Sequence, residues 1–344
     1  MTPDRGRDHR STAPDGTLLR GLWWECARPE GIVLIRTPYG AGLHAPIARS
    51  WNERGYHCLV QDVRGRYRSQ GRWSPYAHEQ EDGGAFLAQA AAEHPGLPVV
   101  LFGASYAAHT ALEAARAAAG AGPPVAAVIA LVPALGLAET AWNTDGEPQI
   151  RHRIGWWHQH GRTGRSAPPL PPAELDRRTA HARERGAIEA AEDWDWPPEA
   201  LAGWRRLWTS HRTDLRSRYR RITAPLLVVS GDDDFFHADA RRLARAWSAA
   251  SHFAGGPWGH GLAAGVADPG LRARITAAGG LSRVIDPWLA ANGLPGTAAE
   301  WTRVLAPAAG ARTRSLLDPQ TGTWRHERIS DDRVHPPGRP VPGG

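Results

Sequence analysis

The chain has 344 residues, 42% of them hydrophobic, enough to bury a large core as one α/β domain with a sizeable insertion or as two domains. Its formal charge of +6 rests on arginine alone, since no lysine occurs. Acidic residues are interspersed throughout and no recognition motif accompanies the Arg216, Arg218, Arg220 and Arg221 cluster, so a nucleic-acid partner is not expected.

No apolar run reaches the roughly 18 residues that a membrane span needs, so no membrane association is expected. The opening MTPDRGRDHRSTAPDG is polar where a secretion signal is apolar, and a cytoplasmic location is expected. Cys26 and Cys58 are too few for a disulfide framework and wrongly spaced for zinc.

Asp15-Gly16 marks a turn before a first predicted strand, Gly16 to Trp24, and a proline-containing loop leads to a second, Gly31 to Arg36. Thr37-Pro38-Tyr39-Gly40 leaves that strand as a tight loop, and His44 to Arg54 has helical character. Tyr56 to Asp62 is the next strand, with Cys58 inside it as a buried free thiol, and a glycine-punctuated loop runs from Val63 to Gly71. Glu79 to Glu93 predicts an amphipathic helix, Val99 to Phe102 a short buried strand, Tyr106 to Ala119 an alanine-rich helix closed by Gly120, and Val125 to Val132 another apolar strand. Strands alternating with helices predict a mostly parallel sheet covered on both faces. Ligands of such sheets gather at the carboxyl ends of the strands, where the loops of Tyr39, Arg64 and Ser105 lie.

From about Thr140 to Tyr219 the pattern changes to an inserted helical cap, in which seven tryptophans stand among arginines and histidines. Tryptophans at this density form either the cap's own core or the wall of a pocket for an apolar or aromatic group. Trp142, Trp156 and Trp157, with Trp258 further along, are the candidates for substrate contact. His152, His158 and His160 lack a third ligand at a defined spacing, so neither metal nor other cofactor is expected. The sheet resumes at Ala224 to Ser230, followed by a basic amphipathic helix, Asp239 to Trp247, a short strand, Ser251 to Phe253, and a last helix, Arg272 to Ala291. The proline- and glycine-rich tail after Trp324 is expected to be disordered. The expected organisation is a first part of the core over residues 1–139, a cap over 140–219, a second part of the core over 220–295 and a C-terminal extension over 296–344.

Residues Leu97 to Gly120 run strand, sharp turn and helix without interruption. A residue turning directly from strand into helix takes a strained conformation, and small residues two before and two after it avoid clashes. Gly103 and Ala107 meet that need, which displays the hydroxyl of Ser105 at the sheet edge. A serine in this place can also be a plain helix N-cap, so its partners decide. A serine hydroxyl becomes a good nucleophile when a histidine takes its proton, and the histidine needs an acid to fix its tautomer. Ser105, Asp234 and His260 follow in the chain order of an α/β-hydrolase, each on a loop after a strand. Asp232 and Asp233 are alternatives for the acid and His252 for the base, while His109 and His237 lie on or at the start of helices and fit worse. The developing oxyanion needs donors, worth about 2.7–4 kcal/mol each; the backbone N–H of Tyr106 is one, and Tyr39 offers another through its hydroxyl or its backbone.

These residues carry a resemblance. Ile35-Arg36-Thr37-Pro38-Tyr39-Gly40, Gln61 to Arg66 with Ser69 and Gly71, Pro75-Tyr76 with Glu81-Asp82-Gly83, Gly103-Ala104-Ser105-Tyr106, Gly231 with Asp234, and Gly256-Pro257-Trp258-Gly259-His260-Gly261 together resemble the cocaine esterase and Xaa-Pro dipeptidyl-peptidase family of serine hydrolases. The match covers roughly residues 15 to 135 and 220 to 290. It implies an α/β-hydrolase that cleaves esters or amides through an acyl-enzyme, with Ser105, Asp234 and His260 as triad and the Tyr39 hydroxyl in the oxyanion hole. Two departures stand out: Ala107 and Ala108 replace the family's usual glycines, and Gly322 to Arg325 looks like only the beginning of its C-terminal β-sandwich.

A serine hydrolase acting on a small-molecule or short-peptide ester or amide with an apolar or aromatic acyl group is therefore expected, with a homodimer left open. Two other readings are an acyltransferase or cyclase using the same triad, and a binding or tailoring protein on a hydrolase scaffold.

Overall fold

The computed structural model describes residues 6–120, 122–298 and 311–329. Among the described residues ten strands make one sheet: β1 (Arg7–Thr12), β2 (Leu18–Trp24), β3 (Gly31–Thr37), β4 (Tyr56–Asp62), β5 (Val99–Ala104), β6 (Ala127–Leu131), β7 (Leu226–Gly231), β8 (Ser251–Gly256), β9 (Arg312–Leu317) and β10 (Trp324–Arg328). Their order is β1-β2-β4-β3-β5-β6-β7-β8-β9-β10. From β4 through β3 to β9 every pair is parallel, and the antiparallel pairs lie at the two edges.

The central strands are apolar along their whole length because both faces are covered, and their side chains divide by parity. Val33, Ile35, Val100, Phe102, Ile129, Leu227 and Val229 face one layer, built from α1 (Ala45–Glu53), α11 (Pro269–Ala277) and α12 (Ser282–Ala291). Ile32, Leu34, Val99, Leu101, Val128, Leu226 and Val228 face the other, built from α2 (Glu79–Glu93), α3 (Tyr106–Ala118), α9 (Leu215–Tyr219) and α10 (His237–Ala246).

Between β6 and β7 the chain leaves the sheet through α4 (Leu137–Ala141), α5 (Ile150–Trp156), α6 (Pro172–Arg185), α7 (Ala187–Ala191) and α8 (Pro198–Thr209), returning through α9. A π-helical turn, Trp157–Gly161, continues α5. These helices bury a core of their own around Ile154, Trp157, Trp194, Trp196, Trp204 and Trp208. Aromatic pairs in edge-on geometry hold it, including Trp157 with Trp204 at 5.8 Å and Trp196 with Trp204 at 5.2 Å.

Three elements differ from the sequence expectations. β1 is a strand although its residues are mostly polar, because an antiparallel edge strand buries little and needs only a partner. The expected single helix over Arg272 to Ala291 divides into α11 and α12 at Gly279 and Gly280, whose φ angles are +85° and +55°. Residues 312–328, expected in the C-terminal extension, extend the hydrolase sheet itself: β9 lies parallel to β8, and β10, of which residues 325–328 were expected in a disordered tail, pairs with β9. The tail from residue 330 onward lies outside the described residues.

β9 is tied to β8 through His252, whose Nδ1 and Nε2 lie 2.8 Å from Thr313 Oγ1 and 2.9 Å from Ser315 Oγ in a buried position. Burial depresses its pKa to about 3, and that of buried His109 to about 4. The unfolded chain takes up these protons near pH 6.5, which the folded state refuses until far lower pH. Stability therefore falls as pH drops from about 6.5 toward 4, by up to about 1.4 kcal/mol per pH unit for each histidine. Urea midpoints measured from pH 7 to pH 5 should fall accordingly, and the decline should be shallower in His252→Gln.

Candidate active site

β5 ends at Ala104 and α3 begins at Tyr106, so Ser105 alone turns the chain, at φ 57° and ψ −119°. A side chain at position 103 would put its Cβ 2.0 Å from the carbonyl oxygen of Ala107, so glycine is required there. The kink is fastened by Ser105 N–H donating to Leu131 O at 2.9 Å on β6, and by Ala134 N–H donating to Ser105 O at 3.2 Å. The Ser105 side chain does not cap α3. It reaches His260 instead, with Oγ 2.9 Å from Nε2.

His260 Nδ1 lies 2.9 Å from Asp234 Oδ1. The other carboxylate oxygen accepts from Ser230 Oγ at 2.9 Å, and Phe236 N–H donates to Oδ1 at 3.2 Å, so the buried carboxylate has a donor on each oxygen. The loops of Asp234 and His260 meet because glycines clear the way: a Cβ at Gly231 would lie 1.8 Å from Trp258 O, and one at Gly256 would enter the Trp258 ring. Asp232 and Asp233 donate their amides to Gly256 O at 3.0 Å and Trp258 O at 3.2 Å, which zips the two loops together. The side chains of Asp232 and Asp233 are exposed, His252 is locked at the far strand pair, His109 is buried under Tyr76, and His237 packs on Phe253. Of the weighed alternatives, Asp234 and His260 are the ones brought to Ser105.

Tyr39 stands over the serine, with its hydroxyl 3.5 Å from Ser105 Oγ. Its backbone N–H is taken by Thr37 Oγ1 at 3.1 Å, which leaves the hydroxyl as its free donor. Trp156 Nε1–H donates to Tyr39 Oη at 3.3 Å, which turns the phenolic proton toward the serine. The loop is fixed from below by Ala41 N–H on Asp62 Oδ1 at 2.6 Å and by Arg66 Nε–H on Pro38 O at 2.8 Å. The N–H of Tyr106 is the first of α3 and has no acceptor within the helix.

The motif residues that carry no site chemistry build the floor. Tyr106 Oη donates to Glu79 Oε1 at 2.8 Å, and Arg36 donates to Glu79 Oε2 at 2.8 Å and to Gln61 Oε1 at 2.8 Å, all buried. Arg64 bridges Asp82 and Asp15. Burial pushes the Glu79 carboxyl upward against the pull of Arg36, and burial beside Glu79 holds the Tyr106 phenol far above its usual value. This network locks the first residue of α3 to β3 and α2.

Of the four tryptophans expected to contact substrate, Trp156 faces the site. Trp157 is buried in the cap core with Nε1 on Ala200 O, and Trp142 packs edge-on against Trp208 in the same cluster. Trp258 is buried beneath the His260 loop beside Trp324. An indole able to fill a core is used there first, because its area is worth most fully buried. The missed aromatic is Phe235, which stacks on His260 at 4.4 Å and on His152 of the cap at 4.4 Å; its position next to Asp234 was the available signal. Among the described residues no group of three or more His, Cys, Asp or Glu side chains is arranged to hold a metal ion, and no helix is long and apolar enough to cross a membrane.

The positive φ at Ser105 is a measurable strain. Ser105→Gly relieves it and should raise stability by roughly 0.5–1 kcal/mol in urea unfolding, although it removes the hydroxyl. An unchanged or lower midpoint would contradict the strain.

Comparison with known proteins bears on the family and the fold. The model of the X-Pro dipeptidyl-peptidase (S15) family matches residues 24–262. A search of curated proteins returned no match. Among solved structures, an aminopeptidase from the marine sediment archaeon Thaumarchaeota archaeon aligns at 18% identity and a TM-score of 0.66, covering 94% of this chain and 58% of that one. An α-amino acid ester hydrolase aligns at 14% identity and a TM-score of 0.58, covering 93% and 58%. The chain thus spans 58% of the length of each of these two relatives, and the likeness to them is one of fold. Taken with the family match over most of its length, the chain belongs to the X-Pro dipeptidyl-peptidase (S15) family of α/β-hydrolases.

Proposed function

We propose that the protein is a serine hydrolase that cleaves an ester or amide bond through an acyl-enzyme. The observation that carries this reading is the unbroken line from Ser105 Oγ to His260 Nε2 and from His260 Nδ1 to Asp234, 2.9 Å at each link. His260 takes the serine proton as Oγ attacks the substrate carbonyl, and the resulting imidazolium is stabilised by the Asp234 carboxylate. The oxyanion receives the Tyr106 N–H and the Tyr39 hydroxyl. The imidazolium then protonates the leaving group, and a water activated by the same imidazole releases the acyl group and restores Ser105.

Water is the natural acceptor because His260 is 29% exposed and Ser105 only half-buried, so solvent reaches the acyl-enzyme. This favours hydrolysis over transfer to another nucleophile. The indole of Trp156, which meets Tyr39 beside the triad, suits an apolar or aromatic portion of the substrate.

A fluorophosphonate probe should label wild-type protein at Ser105 and leave Ser105→Ala unlabelled; folded wild-type protein that stays unlabelled would overturn the assignment. With an activated ester, Asp234→Asn should lower kcat by about 10³–10⁴-fold. Tyr39→Phe should lower it by about 10²–10³-fold, the loss of one oxyanion donor. A Tyr39→Phe rate within a factor of two of wild type would remove Tyr39 from the oxyanion hole.

A further inference from the structure

Arg153 on α5 is 5% exposed, yet among the described residues no carboxylate lies within ion-pair distance of it. Its Nε is sealed from solvent without an acceptor. The guanidinium instead rests over two aromatic rings, 5.7 Å from the centre of Phe235 and 5.4 Å from that of Phe236. Both rings lie against His260, at 4.4 Å and 5.4 Å. Its titratable neighbours are the phenols of Tyr76 and Tyr39, and the second of these touches Ser105. Three side chains that touch the triad, Phe235, Phe236 and Tyr39, therefore also lie around this cation.

A buried guanidinium normally has a carboxylate, and cation–π contact compensates only part of its lost hydration. The acids nearby are engaged elsewhere, Asp234 with His260 and Glu139 with the Thr213 amide. The buried arginines of the floor, by contrast, are paired: Arg36 with Glu79 and Arg64 with Asp82. The unpaired charge shares Phe235 and Phe236 with His260, and so lies next to the proposed triad.

We propose that Arg153 forms an anion subsite, and that the substrate carries a carboxylate which pairs with it during turnover. The proposal rests on the hydrolase reading of the site. A carboxylate supplies the charge-assisted hydrogen bonds that the guanidinium lacks, and its planar geometry suits a bidentate pair. The same charge repels an α-ammonium group, so esters of free α-amino acids should be poor substrates.

Two pairs of esters test this and locate the anion. Mono-4-nitrophenyl succinate against 4-nitrophenyl butyrate places the carboxylate on the acyl chain, and 3-acetoxybenzoate against phenyl acetate places it on the leaving group. In one pair the anionic ester should have a kcat/KM about tenfold or more above its neutral partner, and Arg153→Met should cut that ratio by about thirtyfold or more, with Arg153→Lys keeping part of it. Preference for the neutral ester in both pairs, or a ratio untouched by Arg153→Met, overturns the subsite.

Binding to Ser105→Ala protein separates this from the hydrolase reading. Calorimetry should show 3-phenylpropionate binding at least about tenfold tighter than 3-phenylpropionamide, with the difference lost on adding Arg153→Met. That result without any esterase activity in the wild type would uphold the subsite and reject the hydrolase; equal affinities with esterase activity intact would do the reverse.

Discussion

The backbone at Ser105 takes a conformation that a non-glycine residue avoids, and the surrounding structure holds it there from three directions. Gly103 lets the first turn of α3 approach the end of β5 to a distance no side chain permits. β6 takes the Ser105 amide, and the loop after β6 returns an amide to the Ser105 carbonyl. From below, the buried chain Gln61–Arg36–Glu79–Tyr106 pins the next residue. Strain of this kind, of order 1–3 kcal/mol, persists only where neighbouring contacts over-determine the geometry.

The same economy of backbone joins the other two groups. Asp234 and His260 come from strands that are neighbours in the sheet, but neighbouring strand ends do not by themselves bring two side chains to hydrogen-bonding distance. Gly231 and Gly256 remove the Cβ atoms that would separate the loops, Trp258 fills the space so created, and two backbone hydrogen bonds close it. The glycines and the tryptophan of that motif are thus structural, and they explain why Trp258 lies under the site rather than in it. With Phe235 stacked between His260 and His152, the imidazole is also clamped from the cap side.

Much of this is legible in the residues. The elbow announces itself because a strand, a glycine, a serine and an alanine-rich helix follow without a linker, and the order of Ser105, Asp234 and His260 along the chain matches their order on the sheet. What could not be read were features set by pairing across long separations. β1 carries almost no apolar signal, since an edge strand is held by its neighbour, and β9 and β10 join the sheet far along the chain, beyond residues 299–310, which lie outside the described residues. Tryptophan content cannot tell a cap core from a pocket wall, because both want large apolar area; Trp156 and Trp157 are adjacent in sequence, yet one meets Tyr39 and the other is sealed in the cap. Arg153 sits one helical turn before Trp156 on α5, a spacing that places both toward one side, but nothing in the sequence says that its charge lacks a partner.

Arg66 is fully buried and has no carboxylate within ion-pair distance among the described residues, but its nitrogens are satisfied: Nε by Pro38 O, and the two terminal nitrogens by Thr163 O and Ser166 Oγ of the cap. One guanidinium therefore rivets the loop that carries Tyr39 to the segment following the π-helical turn, with Tyr67 adding a second link to Ser166 at 2.8 Å. Swinging the cap away as a rigid flap would tear out these bonds and expose a charge to a half-emptied interior, and it would carry off the indole that aims the Tyr39 proton. The roof is thereby bolted to the loop that presents the Tyr39 hydroxyl, and the two share one geometry.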